Sequence, residues 1–598
     1  MASSAMTKTN ITTGQLALLY LKSQIISDPS HFLDESWSPA ISVCHWVGVT
    51  CGSHHQRVKS LNLSNIALIG WIPREFGNLS FLVSLDLGIN NFHGNLPQEM
   101  ARLRRLKFID LSVNKFRGKV PSWFGFLHHL QVLNLVNNGF TGSIPYSFFN
   151  MSTLETLNLN FNSIEGKIPK VIGSLINLTE LRLRDWIGNL HNMNWLSIQA
   201  NQLTGSIPFT IFNISMIEVI AYTGNILSGS LPNGLFNGLP ILKGLYLSSN
   251  KLRCHIPTSL SNCSQLQVLS LSENEFDGPI HSEIGRLSNL KILYLGMNHF
   301  TGEIPREIRN LIELEILNLG FNSFSGSLDM EIFNISALRI IDLSLNNLSG
   351  SLPPNICSIL PNIETLFLDS LTNLVGTIPH SITNCSKLSE LELSDSKLTG
   401  LIPNSFGYLT YLQLLNLRGN NLTSDSSLSF LTFLSNRRIP NEVENLSNLL
   451  DLDLSGNNLV GSIPTSIGNL RDLQHLDLTN NKLTGFIGDH LCKLQYLGDI
   501  YLGQNQLSRS LPNCLENITS LREIYLDSNK LSSNIPSSLW NLKYLMVLDL
   551  SSSNMVGSLP PEIGNLKAAI LIDLLMNQFS NGIPREIGGF QNLANPAW

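Results

Sequence analysis

From Val58 onward, apolar and polar residues alternate in a short motif that returns along the whole chain, L-x-x-L-x-L-x-x-N-x-L-x-G-x-I-P. In the stretch Leu82 to Gly94, Leu85 and Leu87 flank the polar Asp86, so alternate residues share one face, as on a β-strand. Asn90 follows where the chain must leave the strand, and its amide can satisfy backbone groups that the turn leaves unpaired. Gly94 permits the next turn, and Leu96-Pro97 (elsewhere Ile-Pro) closes a segment in which proline donates no hydrogen bond. One such coil cannot cover its own leucines. Stacked coils bury them in a continuous column, each fully buried leucine contributing roughly 1.5–3 kcal/mol.

The asparagines recur in phase: Asn90, Asn114, Asn138 and Asn162, then Asn274, Asn298, Asn322 and Asn346, then Asn457, Asn481, Asn505 and Asn529. Counting ladder positions without asparagine (Ile66, Trp186, Thr372, Ser396 and Ser553) gives 22 coils, with 17 of 21 intervals being 24 residues long. A fixed period with this leucine spacing predicts a leucine-rich repeat solenoid of the α/β type. Its parallel β-sheet lines the concave face, and short 3-10 or irregular segments form the convex face. Such a fold makes surface rather than chemistry. Residues 1–57 precede the repeats as an N-terminal cap, in which the apolar run Leu16 to Lys22 fits an amphipathic helix ending near Asp28-Pro29. Residues 58–598 form the solenoid.

Two intervals break the rhythm. About nine residues are missing within 184–200, where Arg184 to Leu190 passes straight from strand to outer arc. The second, 424–446, is overlong and includes Ser424 to Phe430 and Asn436 to Pro440. An island loop that shapes a ligand site is one reading. Loss of part of several coils by deletion or a wrong exon join is favoured, because each junction resumes in phase downstream.

The 598 residues are 43% hydrophobic and only 14% charged, enough to bury a long core. A net charge of −6 and the lack of a basic stripe argue against a nucleic-acid partner. The longest apolar runs, such as Ala568 to Ile572, are far too short to span a bilayer. Cys44 and Cys51 enclose a tryptophan-bearing segment ahead of the repeats, which favours a disulfide over the edge of the first coil. A zinc site is the rival, but no second pair stands at ligand spacing. Cys263 and Cys385 occupy the inward position held elsewhere by Leu79, Ile214 and Ile335, and read as buried thiols. Cys254, Cys357, Cys492 and Cys514 receive no role. Of 13 N-x-S/T sequons, eight (Asn78, Asn150, Asn213, Asn262, Asn334, Asn384, Asn445 and Asn517) fall 12 residues before their ladder position. That phase puts any glycans off the concave face. Template copying is the rival reading. With the cysteine pair, the sequons favour an extracellular setting, although Met1 to Thr13 lacks the pattern of a signal peptide.

No catalytic constellation emerges, and no cofactor or metal is expected. His475 and Asp477 read as a satisfied surface pair without nucleophile or metal partner. The outward strand positions of the late coils are more informative: Asp451, Asp453, Ser455, His475, Asp477, Asp499, Tyr501, Gly503, Glu523, Tyr525, Asp527 and Asp549. An acidic surface with two stacked tyrosines suits a cationic, extended partner. Asp453, Asp477 and Asp549 are readily explained by the repeat itself, since Asp86, Asp110 and Asp342 hold the same place. Tyr501 and Tyr525 are not, so the candidate ligand residues are Asp499, Tyr501, Glu523, Tyr525 and Asp527. Glu390, Glu392 and Asp395, beside Phe367, form a second candidate surface.

The run Gln15 to Lys22, Asp28-Pro29, Trp37 and Cys44-x-Trp46-x-Gly48-Val49-x-Cys51 resembles the N-terminal cap of plant leucine-rich repeat proteins. The L-x-G-x-I-P signature resembles their plant-specific repeat class. Gly77 to Leu82 is similar to the receptor-kinase subfamily that contains immune receptors for bacterial flagellin and elongation factor. The resemblance implies a receptor-like kinase or receptor-like protein whose ectodomain binds a peptide or protein ligand on its concave face at the outer side of the plasma membrane. It also implies a co-receptor kinase, a single membrane-crossing helix and a cytoplasmic serine/threonine kinase. The sequence departs from that pattern: it shows no evident signal peptide, no C-terminal capping cysteine pair, no transmembrane helix, and none of the kinase Gly-rich, His-Arg-Asp or Asp-Phe-Gly motifs. It is therefore expected not to be an enzyme. A secreted inhibitor of a cell-wall-degrading enzyme, like the shorter polygalacturonase inhibitors, is the alternative.

Overall fold

The structure is a computed structural model that describes residues 2–53, 56–170, 193–328, 334–434, 448–590 and 592–597. The chain divides into two compact units, Met1–Phe300 and Thr301–Trp598. Both use the same coil. Most described coils contribute a three-residue strand whose middle side chain is buried, such as Ser84–Asp86 around Leu85 in the first unit and Asp499–Tyr501 around Ile500 in the second. Each strand pairs in parallel with its counterpart one coil on, Leu85 opposite Ile109 and Ile500 opposite Ile524. Short 3-10 turns such as Arg74–Asn78 close the outer side.

The ladder asparagine ties neighbouring coils together. Asn90, buried, donates through Nδ2 to the carbonyls of Leu63 in the coil before (2.7 Å) and Leu87 in its own (3.0 Å). Its Oδ1 accepts from the Leu68 N–H at 2.9 Å. Asn505 repeats the arrangement with Leu478, Leu502 and Leu483. These bonds hold the preceding residue in the left-handed region even where it is bulky, as at Ile89 (φ 54°) and Val113 (φ 52°). Gly94, at φ 84°, makes the following turn, where a side chain would be strained.

At the N-terminus a helix, Ala2–Ser23, covers the first coil through Ala17, Leu18 and Leu21. Asp28 does not end that helix. A short strand, Ile25–Ser27, intervenes, and the Asp28 carboxylate accepts the N–H groups of Phe32 (3.2 Å) and Leu33 (2.7 Å) at the start of a second helix, Phe32–Ser36. Trp37 and Trp46 stack at 5.3 Å in the cap, and the strand Val49–Cys51 runs antiparallel to Val58–Asn62. Cys44 and Cys51 form a disulfide across it, their Cα atoms 5.4 Å apart.

One cysteine expectation changes. Cys385 is not a thiol: it is bonded to Cys357, 28 residues earlier, which the stacked coils bring to a Cα distance of 4.9 Å. Cys263 faces the Phe236 carbonyl (3.9 Å) with no cysteine to meet it, and stays a free, buried thiol pushed up to about 12 by that burial. Cys492 and Cys514 are also bonded, while Cys254 is free and exposed. The coil assigned to Trp186 falls on residues outside those described. Thr156–Asn158 pairs directly with Trp195–Ser197, and Asn201 donates to the Leu159 carbonyl at 3.0 Å, so coil 201 follows coil 162. Trp186 itself, the rest of 184–192, and 435–446 of the second irregularity lie outside the described residues.

Candidate functional site

In the second unit the strands Asp451–Asp453, His475–Asp477, Asp499–Tyr501, Glu523–Tyr525 and Val547–Asp549 lie side by side in register. Their middle residues, Leu452, Leu476, Ile500, Ile524 and Leu548, are buried, which turns the first and third residues to the opposite face. Two rows result. One reads Asp451, His475, Asp499, Glu523, Val547; the other Asp453, Asp477, Tyr501, Tyr525, Asp549.

The rows differ in what their carboxylates already do. Asp453 accepts the Ser455 N–H at 2.8 Å, Asp477 that of Thr479 at 2.8 Å, and Asp549 that of Ser551 at 2.9 Å. Asp110 in the first unit makes the same bond to Ser112 at 2.8 Å. The aspartate of this position is a turn former, serving the coil. Tyr501 and Tyr525 have replaced it and make no such bond. Their rings stack with centroids 5.0 Å apart, 26° from parallel. The Tyr501 hydroxyl donates to Glu523 Oε2 at 2.5 Å, fixing that carboxylate beside the rings. Burial, then that bond, holds the phenol well above its usual range.

Asp499, Tyr501, Glu523, Tyr525 and Asp527 are therefore brought together, within two adjacent coils. Gly503 makes room for the last of them, since a Cβ there would collide with Asp527 Oδ1. His475 belongs with them, and the reading of it as a partner of Asp477 is corrected. Its Nδ1 lies 3.5 Å from Asp499 Oδ2, and its ring packs at 5.2 Å on Tyr501. The partner stands one coil on, a 24-residue spacing that was legible in the repeat but masked by the nearer Asp477. Burial pushes the carboxyls of Asp451, Asp453 and Asp527 above their ordinary values. The face stores unfavourable charge that a cation would relieve.

The second candidate surface is separate. Glu390 and Glu392 lie on the strand paired with Thr365–Phe367, four strand steps from Ile500, or roughly 19 Å at the usual spacing. Glu392 accepts from Ser394 Oγ at 2.7 Å, and burial pushes it up to about 7. Asp395 sits beyond the strand at φ 50°. Among the sequon asparagines, Asn78, Asn213, Asn262, Asn334, Asn384 and Asn517 are exposed, and all but Asn334 close a described 3-10 turn away from the sheet. Asn445 and the side chain of Asn150 lie outside the described residues. Among the described residues there is no group of three or more metal-ligating side chains, and no helix is long and apolar enough to cross a membrane.

Known proteins match both parts of the chain. A leucine rich repeat N-terminal domain model covers residues 15–52. Leucine rich repeat models cover 128–185, 218–276 and 361–422, and 105–127, 289–311, 337–359, 448–470, 472–494, 520–542 and 544–566. Segments of about 80 residues are 44% identical to the receptor-like serine/threonine-protein kinase EFR and to a putative receptor-like protein kinase, both of Arabidopsis thaliana. These segments span 13–14% of this chain and only 8% of those relatives' own length. Two solved structures are similar over nearly the whole chain. The Arabidopsis receptor kinase HAESA, in complex with the peptide hormone IDA and the co-receptor SERK1, is 30% identical with a TM-score of 0.77, covering 98% of each chain. The plant peptide hormone receptor RGFR1, in complex with RGF2, is 29% identical with a TM-score of 0.75, covering 93% of this chain and 90% of its own. The asparagine ladder, the cap and these matches agree: the chain belongs to the leucine-rich repeat proteins, of the kind that forms the ectodomains of plant receptor kinases.

Proposed function

We propose that this chain is the ligand-recognition ectodomain of a plant receptor kinase or receptor-like protein, exposed outside the plasma membrane, and that it binds rather than catalyses. Its ligand is an extended, basic peptide lying across the strands from Asp451 to Tyr525, and a co-receptor kinase joins the complex. The observation that carries this reading is the replacement of the turn-forming aspartate by Tyr501 and Tyr525 in two consecutive coils. That exchange gives up a local hydrogen bond in each coil and gains an aromatic pair rimmed by Asp499, Glu523 and Asp527. The tyrosines serve as apolar anchors and the acids steer charge. HAESA and RGFR1, solved with peptides and, for HAESA, with a co-receptor, support the class of ligand and partner.

The test is a screen of the secreted ectodomain against plant-derived and microbial basic peptides, followed by titration of the hit with Tyr501→Ala and Tyr525→Ala. Binding that weakens at least about 30-fold in each variant is expected, as for a central interface anchor. A hit that binds both variants like wild type moves the site elsewhere, with the Glu390 and Glu392 surface next.

A further inference from the structure

The first coils hold a second charged feature, of opposite sign. Phe81 is packed between two guanidinium groups. Arg57 Cζ, from the coil before, lies 3.9 Å from the ring centroid, and Arg105 Cζ, from the coil after, lies 4.1 Å from it. The ring fixes both groups by cation–π contact and holds two like charges close to one another. Arg102, Arg104, Lys59 and Lys107 are exposed around them. None of these six side chains bonds to a carboxylate among the described residues. Beside them the cap and the next coils enclose a cleft of about 240 Å³, lined by Arg57, Arg102, Phe81, Gln56, Asn78 and Ser80 among others. The linear sequence hid this cluster, because Arg57 and Lys59 stand almost two coils before Arg102.

Each guanidinium presents five N–H donors and no acceptor, so the charged groups at the cleft are all donors. We propose that it binds an acidic polysaccharide, with Arg57 and Arg102 in the cleft and Arg105 beside it pairing with the carboxylates. The lining favours a sugar acid over an acidic peptide. The amides of Gln56 and Asn78 and the hydroxyl of Ser80 stand beside an apolar wall of Val43, Val58 and Leu79, which suits a ligand that carries hydroxyl groups and C–H faces on the same ring. Arg57 and Arg105 belong to coils two steps apart, and their Cζ atoms lie 3.9 and 4.1 Å from one ring centroid, within reach of carboxylates on alternate rings of a polymer with one carboxylate per sugar. Asn78, a sequon on the same wall, would place a glycan at the rim, so the glycan is a competitor to be removed in the test.

The experiment uses the full 598-residue chain and a galacturonate decamer as probe, with fully methyl-esterified decamer, poly-glutamate and phosphatidylserine vesicles as comparators. The decamer should bind the wild type and its Asn78→Gln variant, and weaken at least about tenfold between 50 and 200 mM salt. Arg57→Gln with Arg105→Gln should weaken binding at least about tenfold, while Arg253→Gln, on an exposed residue of a distant coil, should not. Should the double variant fold poorly, the exposed Arg102→Gln alone should still cost about threefold. Full binding by either variant overturns the proposal, as does equally tight binding of the esterified decamer, poly-glutamate or the vesicles.

Discussion

Residues 1–300 and 301–598 are two units built on one coil, and they have diverged in charge. The first carries 21 lysines and arginines against 16 aspartates and glutamates; the second carries 17 against 28. The contrast is concentrated on the strand face. In the first unit the leading strand position reads Ser60, Ser84, Phe108, Val132, Thr156, Trp195, Val219, Gly244, Val268 and Ile292, with no acid. In the second unit the same position includes Glu390, Asp451, Asp499 and Glu523. Because the buried leucines and ladder asparagines are common to both, exposed positions are free to vary without cost to the fold. Scaffold and function therefore occupy different residues of the same 24-residue unit.

The largest effect should be one that does not distinguish the units. Asn90→Ala and Asn505→Ala each strip several buried backbone groups of their partners, and each should cost about 3 kcal/mol. Hydrogen exchange of the flanking coils checks this, and a large effect in only one unit would mean the scaffolds are not equivalent. Next come the anchors. Tyr501→Ala and Tyr525→Ala should each remove about 2 kcal/mol of binding to a basic peptide, chiefly through faster dissociation. Tyr294→Ala, at the equivalent strand position of the first unit, should leave that affinity alone. If it weakens binding as much, the peptide is not confined to the acidic face.

Smaller again are the acids. Asp499→Asn and Asp527→Asn should slow association a few-fold and flatten its salt dependence, with little change in dissociation, as read by stopped-flow mixing. The smallest effect is a pH response. Glu392 is raised from 4.5 to about 7 chiefly by burial, so the folded state favours its protonated form. That contribution to stability is complete below about pH 4.5 and is lost as pH rises through about 7. Thermal melts should show Glu392→Gln above wild type at pH 8, by a few degrees at most because the side chain is partly exposed, and level with it at pH 4. An unchanged gap between those pH values would assign the difference to packing instead.

Most of the fold was legible because the repeat states its own physics. Leu85 and Leu87 around Asp86 specify a strand with one buried face, and Asn90 specifies the bonds between coils. The aromatic pair at 501 and 525 was legible for the same reason: a known template makes a departure visible. Other features were not. Cys385 looked like a buried thiol because a position within one coil says nothing of what the preceding coil places opposite it. His475 was matched with the acid two residues away, when its contact stands one coil on. Arg57 met Arg105 only once Phe81 was placed between their coils.

The sequence alone determined the period, the buried column, the cap and the two coils that depart from the template, because these depend on spacing within one chain segment. Tertiary structure alone decided the Cys357–Cys385 pairing, the stacking of coil 201 on coil 162, the His475–Tyr501–Tyr525 stack and the arginines around Phe81. Each of these depends on stacking register, which juxtaposes residues about 24 positions apart or more, and even a small change in coil length alters which side chains meet.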